Sequence, residues 1–225
     1  DRFWSEVREL RERHGKTVLV SIGGRDSDGD WRLVEEHTDG AVDLVARLVA
    51  RHDLDGVDLD MESDFSDATV ELTNRLANAM PDLIITHAPP WTDVRDRYAS
   101  PYGSKRPVLE RTASARKSRG NNIDWLNVQF YDKGQVADPV AAYASLVSGD
   151  AAAARIPVPP GMMALGLMPR SDREVRETCA PMIRRLARTY PDCAGVFAWR
   201  HATASKTGWP SLIAETLWGG RRPGG

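Results

Sequence analysis

Residues 55–62 read Asp-Gly-Val-Asp-Leu-Asp-Met-Glu, which puts three carboxylates at every second position of an otherwise apolar run. Side chains at i, i+2 and i+4 of an extended strand share a face. Asp58, Asp60 and Glu62 therefore point one way and Val57, Leu59 and Met61 the other. Neighbours on the acidic face stand roughly 6.6 Å apart at about 3.3 Å of rise per residue. At an effective dielectric near 20, two such charges repel by about 2.5 kcal/mol. Three ionised carboxylates in a row are disfavoured, and at least one is expected to hold a proton near neutral pH, as general acid catalysis requires. An isolated acidic run is more simply an exposed edge or a carboxylate cation site. Here the apolar alternate face and the flanking sequence tip the reading towards catalysis.

Five further β-rich apolar runs cover residues 17–22, 83–88, 125–131, 163–168 and 194–199. Amphipathic stretches separate them: 3–14, which ends at Gly15, then 39–52, 66–80, 137–148, 171–190 and 209–218. Val42, Val45, Leu48 and Val49 form the apolar stripe of 39–52. Ser66 and Ser171 are candidate N-caps. The alternation predicts βα units around a parallel sheet of six strands, an α/β fold in one domain over residues 1–225 with a flexible tail near 219–225. The segment 91–122 reads as an elaborated loop with a helix around 107–116, and long βα loops usually carry binding surface. Sites in parallel α/β folds form beyond the carboxyl ends of the strands, where Glu62, Tyr131 and Trp199 fall.

Composition narrows the function classes. With 41% hydrophobic residues, the 225-residue chain has enough apolar side chains for one substantial core. A formal charge of -2 and a pI near 6.2 give nucleic acid no electrostatic case, and the Arg-rich stretch from Arg111 to Arg119 reads as a solvated face. No apolar run approaches the roughly 18 residues of a membrane span, and the opening Asp1-Arg2-Phe3-Trp4 is not a signal peptide, so a soluble protein is expected. No spacing of His, Cys or Asp matches a metal site, and no cofactor is expected. Cys179 lies about 16 Å up the predicted helix from its end while Cys193 lies just beyond that end, so two thiols without a disulfide are expected unless Pro181 redirects the helix. Trp4, Trp31, Trp125, Trp209 and Trp218 read as packing residues, and a lone His87 is more often packed than catalytic.

Taken in order, Val18-Leu19-Val20-Ser21-Ile22-Gly23-Gly24, Asp55 to Glu62, Val128-Gln129-Phe130-Tyr131, Leu165-Gly166-Leu167-Met168-Pro169 and Gly195-Val196-Phe197-Ala198-Trp199 resemble glycoside hydrolase family 18. The likeness is nearest to the plant-type (class III) chitinases and their bacterial and fungal relatives. The first segment looks like the family's third-strand SxGG motif and the second like its DxxDxDxE signature on strand four. The resemblance implies a TIM-type (β/α) barrel, incomplete in this chain, whose six parallel strands correspond to strands three to eight. Six strands do not close the usual barrel. Either an N-terminal quarter is missing, or another element or chain covers the exposed edges, which are then open to association.

The resemblance also implies retaining, substrate-assisted hydrolysis of β-1,4-linked N-acetylglucosamine, in chitin or chito-oligosaccharides, by a secreted protein. Glu62 would be the acid, Asp60 the partner of the acetamide N-H, Asp58 its proton-sharing neighbour and Tyr131 a donor to the acetamide carbonyl. Gln129 would fix that group or a sugar hydroxyl and Trp199 would stack on a pyranose. Met168 on the seventh strand and Trp91 in the long loop complete the expected substrate contacts. Asp55 is expected to cap a turn, and Ser21, Gly23 and Gly24 to permit tight backbone packing. Two alternatives stay open: an endo-β-N-acetylglucosaminidase acting on N-glycan cores, and an inert sugar-binding protein or fragment on the same scaffold.

Overall fold

Every predicted β-rich run forms a strand in the computed structural model, which describes residues 2–62, 64, 66–102, 105–115, 117, 120–131, 136–150, 156–200 and 204–218. The expected tail at 219–225 lies outside these residues. The elements run α1 (Arg2–Glu12), β1 (Leu19–Gly23), α2 (Asp28–Glu36), α3 (Thr38–His52), β2 (Gly56–Asp60), α4 (Ser66–Ala79), β3 (Ile84–His87), α5 (Trp91–Asp93), α6 (Val108–Arg111) and β4 (Trp125–Gln129). They continue with α7 (Pro139–Ser148), β5 (Met163–Leu167), α8 (Asp172–Glu174), α9 (Ala180–Thr189), β6 (Gly195–Ala198) and α10 (Trp209–Trp218). The strands make one sheet in the order β1-β2-β3-β4-β5-β6, the parallel α/β arrangement expected. The chain groups into two compact units, Asp1–Pro89 with Pro101–Leu126, and Pro90–Ser100 with Asn127–Gly225.

The first unit is built around the alternation of β2. Val57, Leu59 and Met61 are buried against Trp31 of α2, Val45 of α3, Leu72 and Leu76 of α4, and Ile85 of β3. Each such side chain contributes about 1.5–3 kcal/mol by leaving water. This apolar layer also fixes the register. A slip of one residue would bring the carboxylates into it. Helix α2 was not among the expected elements; Trp31 and Val34 form its short apolar stripe, and Ser27 turns its hydroxyl to the Gly24 carbonyl at 2.6 Å rather than capping it. Asp28 and Asp30 in its first turn suit the helix dipole. At α4 the helix opens on Ser66 itself, whose side chain lies outside the described residues.

Three other expectations change in this unit. Asp55 caps no turn: Arg11 donates to both its oxygens at 3.0 and 2.8 Å, and Val18 N donates to it at 2.7 Å. The carboxylate thus ties α1 and the approach to β1 to the start of β2, and Arg11 reaches Asp53 as well. Helix α6 stops at Arg111 rather than extending to 116, where its last carbonyls are taken from outside the helix: Asn121 Nδ2 donates to Leu109 O at 2.9 Å, Asn74 Nδ2 to Arg111 O at 3.1 Å and Asn122 N to Thr112 O at 2.8 Å. The basic stretch is not simply a solvated face. Arg111 pairs with Asp67 at 2.7 Å and Lys117 with Asp124 at 2.6 Å, while Arg116 and Arg119 lie outside the described residues.

In the second unit β5 is buried along its whole length. Gly166 has no substitute there: a Cβ would stand 2.3 Å from Phe197 Cζ and 2.6 Å from the Val128 carbonyl oxygen. Asp138 caps α7 by accepting from Val140 N and Ala141 N, and Ser171 caps α8 by accepting from Glu174 N at 3.2 Å. Pro181 does not break the following helix, because a π-turn, Val175–Cys179, absorbs the lost backbone donor between α8 and α9. Cys179 and Cys193 are both free thiols.

The Arg11 cluster carries a pH signature. Its guanidinium holds Asp55 below the ordinary 3.8, and the Val18 amide adds to this. A depressed carboxyl contributes stability above the unfolded value and loses it as pH falls through the folded one. Arg11→Ala is therefore expected to lower the urea midpoint at pH 7, with the gap to the parent narrowing below pH 3.8. A gap unchanged across that range would remove Asp55 from the account.

Candidate functional site

The acidic face of β2 is positioned from both sides. Register sets Ser21 of β1 and Thr86 of β3 opposite Asp58. Ser21 Oγ donates to one Asp58 oxygen at 2.9 Å and Thr86 Oγ1 to the other at 2.5 Å. Each oxygen of that carboxylate thereby accepts from a neighbouring strand, which fixes its plane across three strands. Asp60 follows two residues on, half-buried on the same face.

Beside Asp60 the chain of β1 closes in through a glycine pair. Gly24 N donates to the Asp60 carbonyl at 2.6 Å, and a Cβ on Gly23 would stand 2.3 Å from that oxygen. Any side chain at Gly23 would force the strands apart, so the tight packing expected of this pair is present. A Cβ on Gly24 would reach to 3.6 Å from Asp60 Oδ2, so its absence keeps the carboxylate uncovered on that side. Glu62 lies two residues beyond the end of β2 and is half-buried.

Sequence reasoning assigned Ser21 to backbone packing and left Thr86 unmarked. The signal for Thr86 was the alternation of β3, where Ile85 and His87 turn to the core and Thr86 turns to the acidic face. His87 is packed, as expected. It is fully buried, and its Nε2 lies 2.8 Å from Thr73 Oγ1, whose own proton goes to the Thr69 carbonyl at 2.7 Å. Nε2 therefore carries the hydrogen in this network. Burial pushes the imidazole down to about 3, so it stays neutral.

The remaining expected residues belong to the second unit. Tyr131 lies two residues past β4, almost fully buried, with its ring edge-on to Phe197 at 6.4 Å. Met168 directly follows β5. Tyr131 and Met168 share a cleft of about 390 Å3 with Leu167, Cys179 and Met182. Burial pushes the Cys179 thiol up to about 11, which keeps it protonated and unsuited to be a nucleophile. Gln129 is buried and forms a parallel bridge with Pro90, the residue before Trp91. The Arg95 guanidinium sits 5.0 Å over the Trp91 ring. Trp199 directly follows β6, is 49% exposed and joins Arg200 through a cis peptide.

The structure thus sets Asp58 and Asp60 on one face of β2 with Glu62 two residues beyond the strand, puts Tyr131 and Met168 on one cleft, and links Gln129 to the start of the Trp91 segment. Among the described residues no group of His, Cys, Asp or Glu is arranged to hold a metal ion, and no helix is long and apolar enough to cross a membrane.

Comparison with known proteins adds to this geometry. The model of the family described as glycosyl hydrolases family 18 matches residues 2–167. No curated protein matches the chain in sequence. Among solved structures, the chain resembles a GH18 chitinase from Pseudoalteromonas aurantia at 22% identity and a TM-score of 0.68, covering 94% of this chain and 80% of that one. A fungal endo-beta-N-acetylglucosaminidase from glycosyl hydrolase family 18 aligns at 21% identity and a TM-score of 0.69, covering 97% and 78%. A class V chitinase from Nicotiana tobaccum, in complex with NAG4, aligns at 14% identity and a TM-score of 0.61, covering 93% and 82%. At such identities the likeness establishes a shared fold.

The buried imidazole makes a second pH prediction. The unfolded chain protonates His87 near 6.5 and the folded chain only near 3, so stability falls as pH drops between those values, by up to about 1.4 kcal/mol per pH unit for one proton. His87→Gln is expected to remove that one-proton slope from urea melts between pH 6 and 4. Parallel slopes for variant and parent would contradict it.

Proposed function

The chain belongs to glycosyl hydrolases family 18, and from that premise we propose that this glycoside hydrolase cleaves β-1,4-N-acetylglucosamine linkages in chitin or chito-oligosaccharides with retention, by substrate assistance. The observation that carries the proposal is the pair Asp58 and Asp60 on one face of β2, with Asp58 held by Ser21 and Thr86 and Gly23 packed against the Asp60 carbonyl, and with Glu62 following two residues beyond the strand. Glu62 protonates the leaving oxygen. The substrate's acetamido oxygen attacks the anomeric carbon, so no enzyme nucleophile is required. Asp60 accepts from the acetamide N-H and stabilises the positive charge that develops there. Asp58, held by Ser21 and Thr86, is the proton-sharing neighbour of Asp60 on the same face.

On the same reading Tyr131 donates its hydroxyl to the acetamide carbonyl, and Gln129 holds that group or a sugar hydroxyl. Trp199 offers its exposed face to a pyranose, a role its exposure supports. Trp91 adds a sugar contact and Met168 an apolar wall. The finer kinship to plant-type class III chitinases and the secretion of the protein are parts of the same proposal and rest on the motif resemblance. A second reading, an endo-β-N-acetylglucosaminidase acting on N-glycan cores, is supported by the likeness to the fungal enzyme of that kind. Oligosaccharides released from colloidal chitin, with none from a high-mannose glycoprotein, favour the first reading, and the reverse pattern favours the second.

Glu62→Gln is expected to lower kcat by about 10²–10⁴-fold while binding of a chito-oligosaccharide, followed by calorimetry, persists. Near-parental turnover by that variant would refute the acid assignment. Asp60→Asn should cost about 10²-fold in kcat with a small change in KM, and unchanged kinetics would remove substrate assistance from the scheme.

A further inference from the structure

The second unit carries a basic concavity that the hydrolytic scheme leaves unused. Strands β5 and β6 are parallel neighbours, with Leu167 opposite Ala198. Arg170 and Arg200 therefore follow close beyond the carboxyl ends of two paired strands, where sites form in parallel α/β folds. Together with Arg173 and Lys206 they line a pocket of about 550 Å3. Its described walls come only from the segments that follow these two strands, and Asp172 is the one carboxylate among them.

The chain as a whole has 32 carboxylates to 30 lysines and arginines, so its cations do not lack for acidic partners. Arg173 takes one, reaching Glu177 at 2.8 Å. Among the described residues no carboxylate pairs with the side chain of Arg170, Arg200 or Lys206, and Arg170 meets Glu174 only through its backbone N, at 2.9 Å. All three are exposed. Like charges gathered in one concavity repel, and an anion seated between them turns that repulsion into attraction. A guanidinium presents two parallel N-H donors to an oxyanion, and a lysine adds a point charge, so this set matches the oxygens of a sulfate, phosphate or carboxylate.

Two links join the pocket to the expected sugar contacts. Arg170 also lines the cleft that holds Tyr131 and Met168. Arg200 is the chain neighbour of Trp199, whose ring is half-exposed. We propose that the pocket binds an oxyanion substituent borne by a sugar of the bound glycan, so that the protein takes acidic N-acetylglucosamine oligomers more tightly than neutral ones. Arg200 and Lys206 hold the anion, and Arg170 bridges it to the cleft. The placing of the sugar rests on the proposed function, whereas the anion's recognition rests on the charge of the pocket alone.

Calorimetry on the full chain tests it with three probes: chitotetraose, chitotetraose sulfated at its 6-hydroxyls, and inorganic sulfate. The sulfated sugar is expected to bind about tenfold or more tightly than the neutral one at low ionic strength, with most of that advantage lost in about 0.5 M salt. The ratio of the two affinities should fall several-fold in Arg200→Gln and again in Lys206→Gln. Equal affinity for the two sugars, no binding of the sulfated one, or a ratio unchanged in both variants overturns the pocket. Inorganic sulfate binding as tightly as the sulfated sugar overturns the glycan as its ligand. Reducing-end release from the neutral tetramer is followed in parallel. Its absence beside an intact affinity ratio counts against the hydrolytic proposal and leaves the pocket standing.

Discussion

The pair of hydrogen bonds that Asp58 accepts from Ser21 and Thr86 is the constraint on which the catalytic proposal depends. It exists only because three consecutive parallel strands share one register, with position 21 beside 58 and 58 beside 86. Behind it lies the opposite face of β2, where Val57, Leu59 and Met61 are held by the helices. The acidic row is costly to assemble and the apolar row is not. Placing both on one strand lets burial on one side offset charge crowding on the other.

The architecture was legible because β2 alternates with period two, while the five other runs are short and apolar with amphipathic stretches between them. The Ser171 cap was legible for a similar local reason, as a serine three residues before a glutamate at the start of a helix. What escaped was local or relational. Helix α2 has only nine residues, too few for its periodicity to stand out. The end of α6 is set by Asn74, Asn121 and Asn122, which take its last carbonyls from other parts of the chain. Asp55 looked like a turn residue because its glycine neighbour is visible in sequence, whereas Arg11, forty-four positions away, is not.

The candidate site shows the same division. Its carboxylates stand out in a single chain because the motif is contiguous. The residues that hold them do not. Thr86 is one threonine among many until register places it against Asp58, and Ser21 is hidden inside a motif whose glycines attract attention first. The glycines were read correctly as sites of close approach, and the structure supplies the object approached, the carbonyl of Asp60.

Strand order has a consequence for how the chain comes to be folded. Because each strand lies next to its successor in sequence, every pairing closes over only the helices and loops between the two strands and never waits for a distant partner. Such a sheet can grow during synthesis in the direction the ribosome moves, each new βα segment finding its template already laid down. Each closure then costs less loop entropy than pairing with a strand farther along the chain would, since that cost grows with the length of chain enclosed.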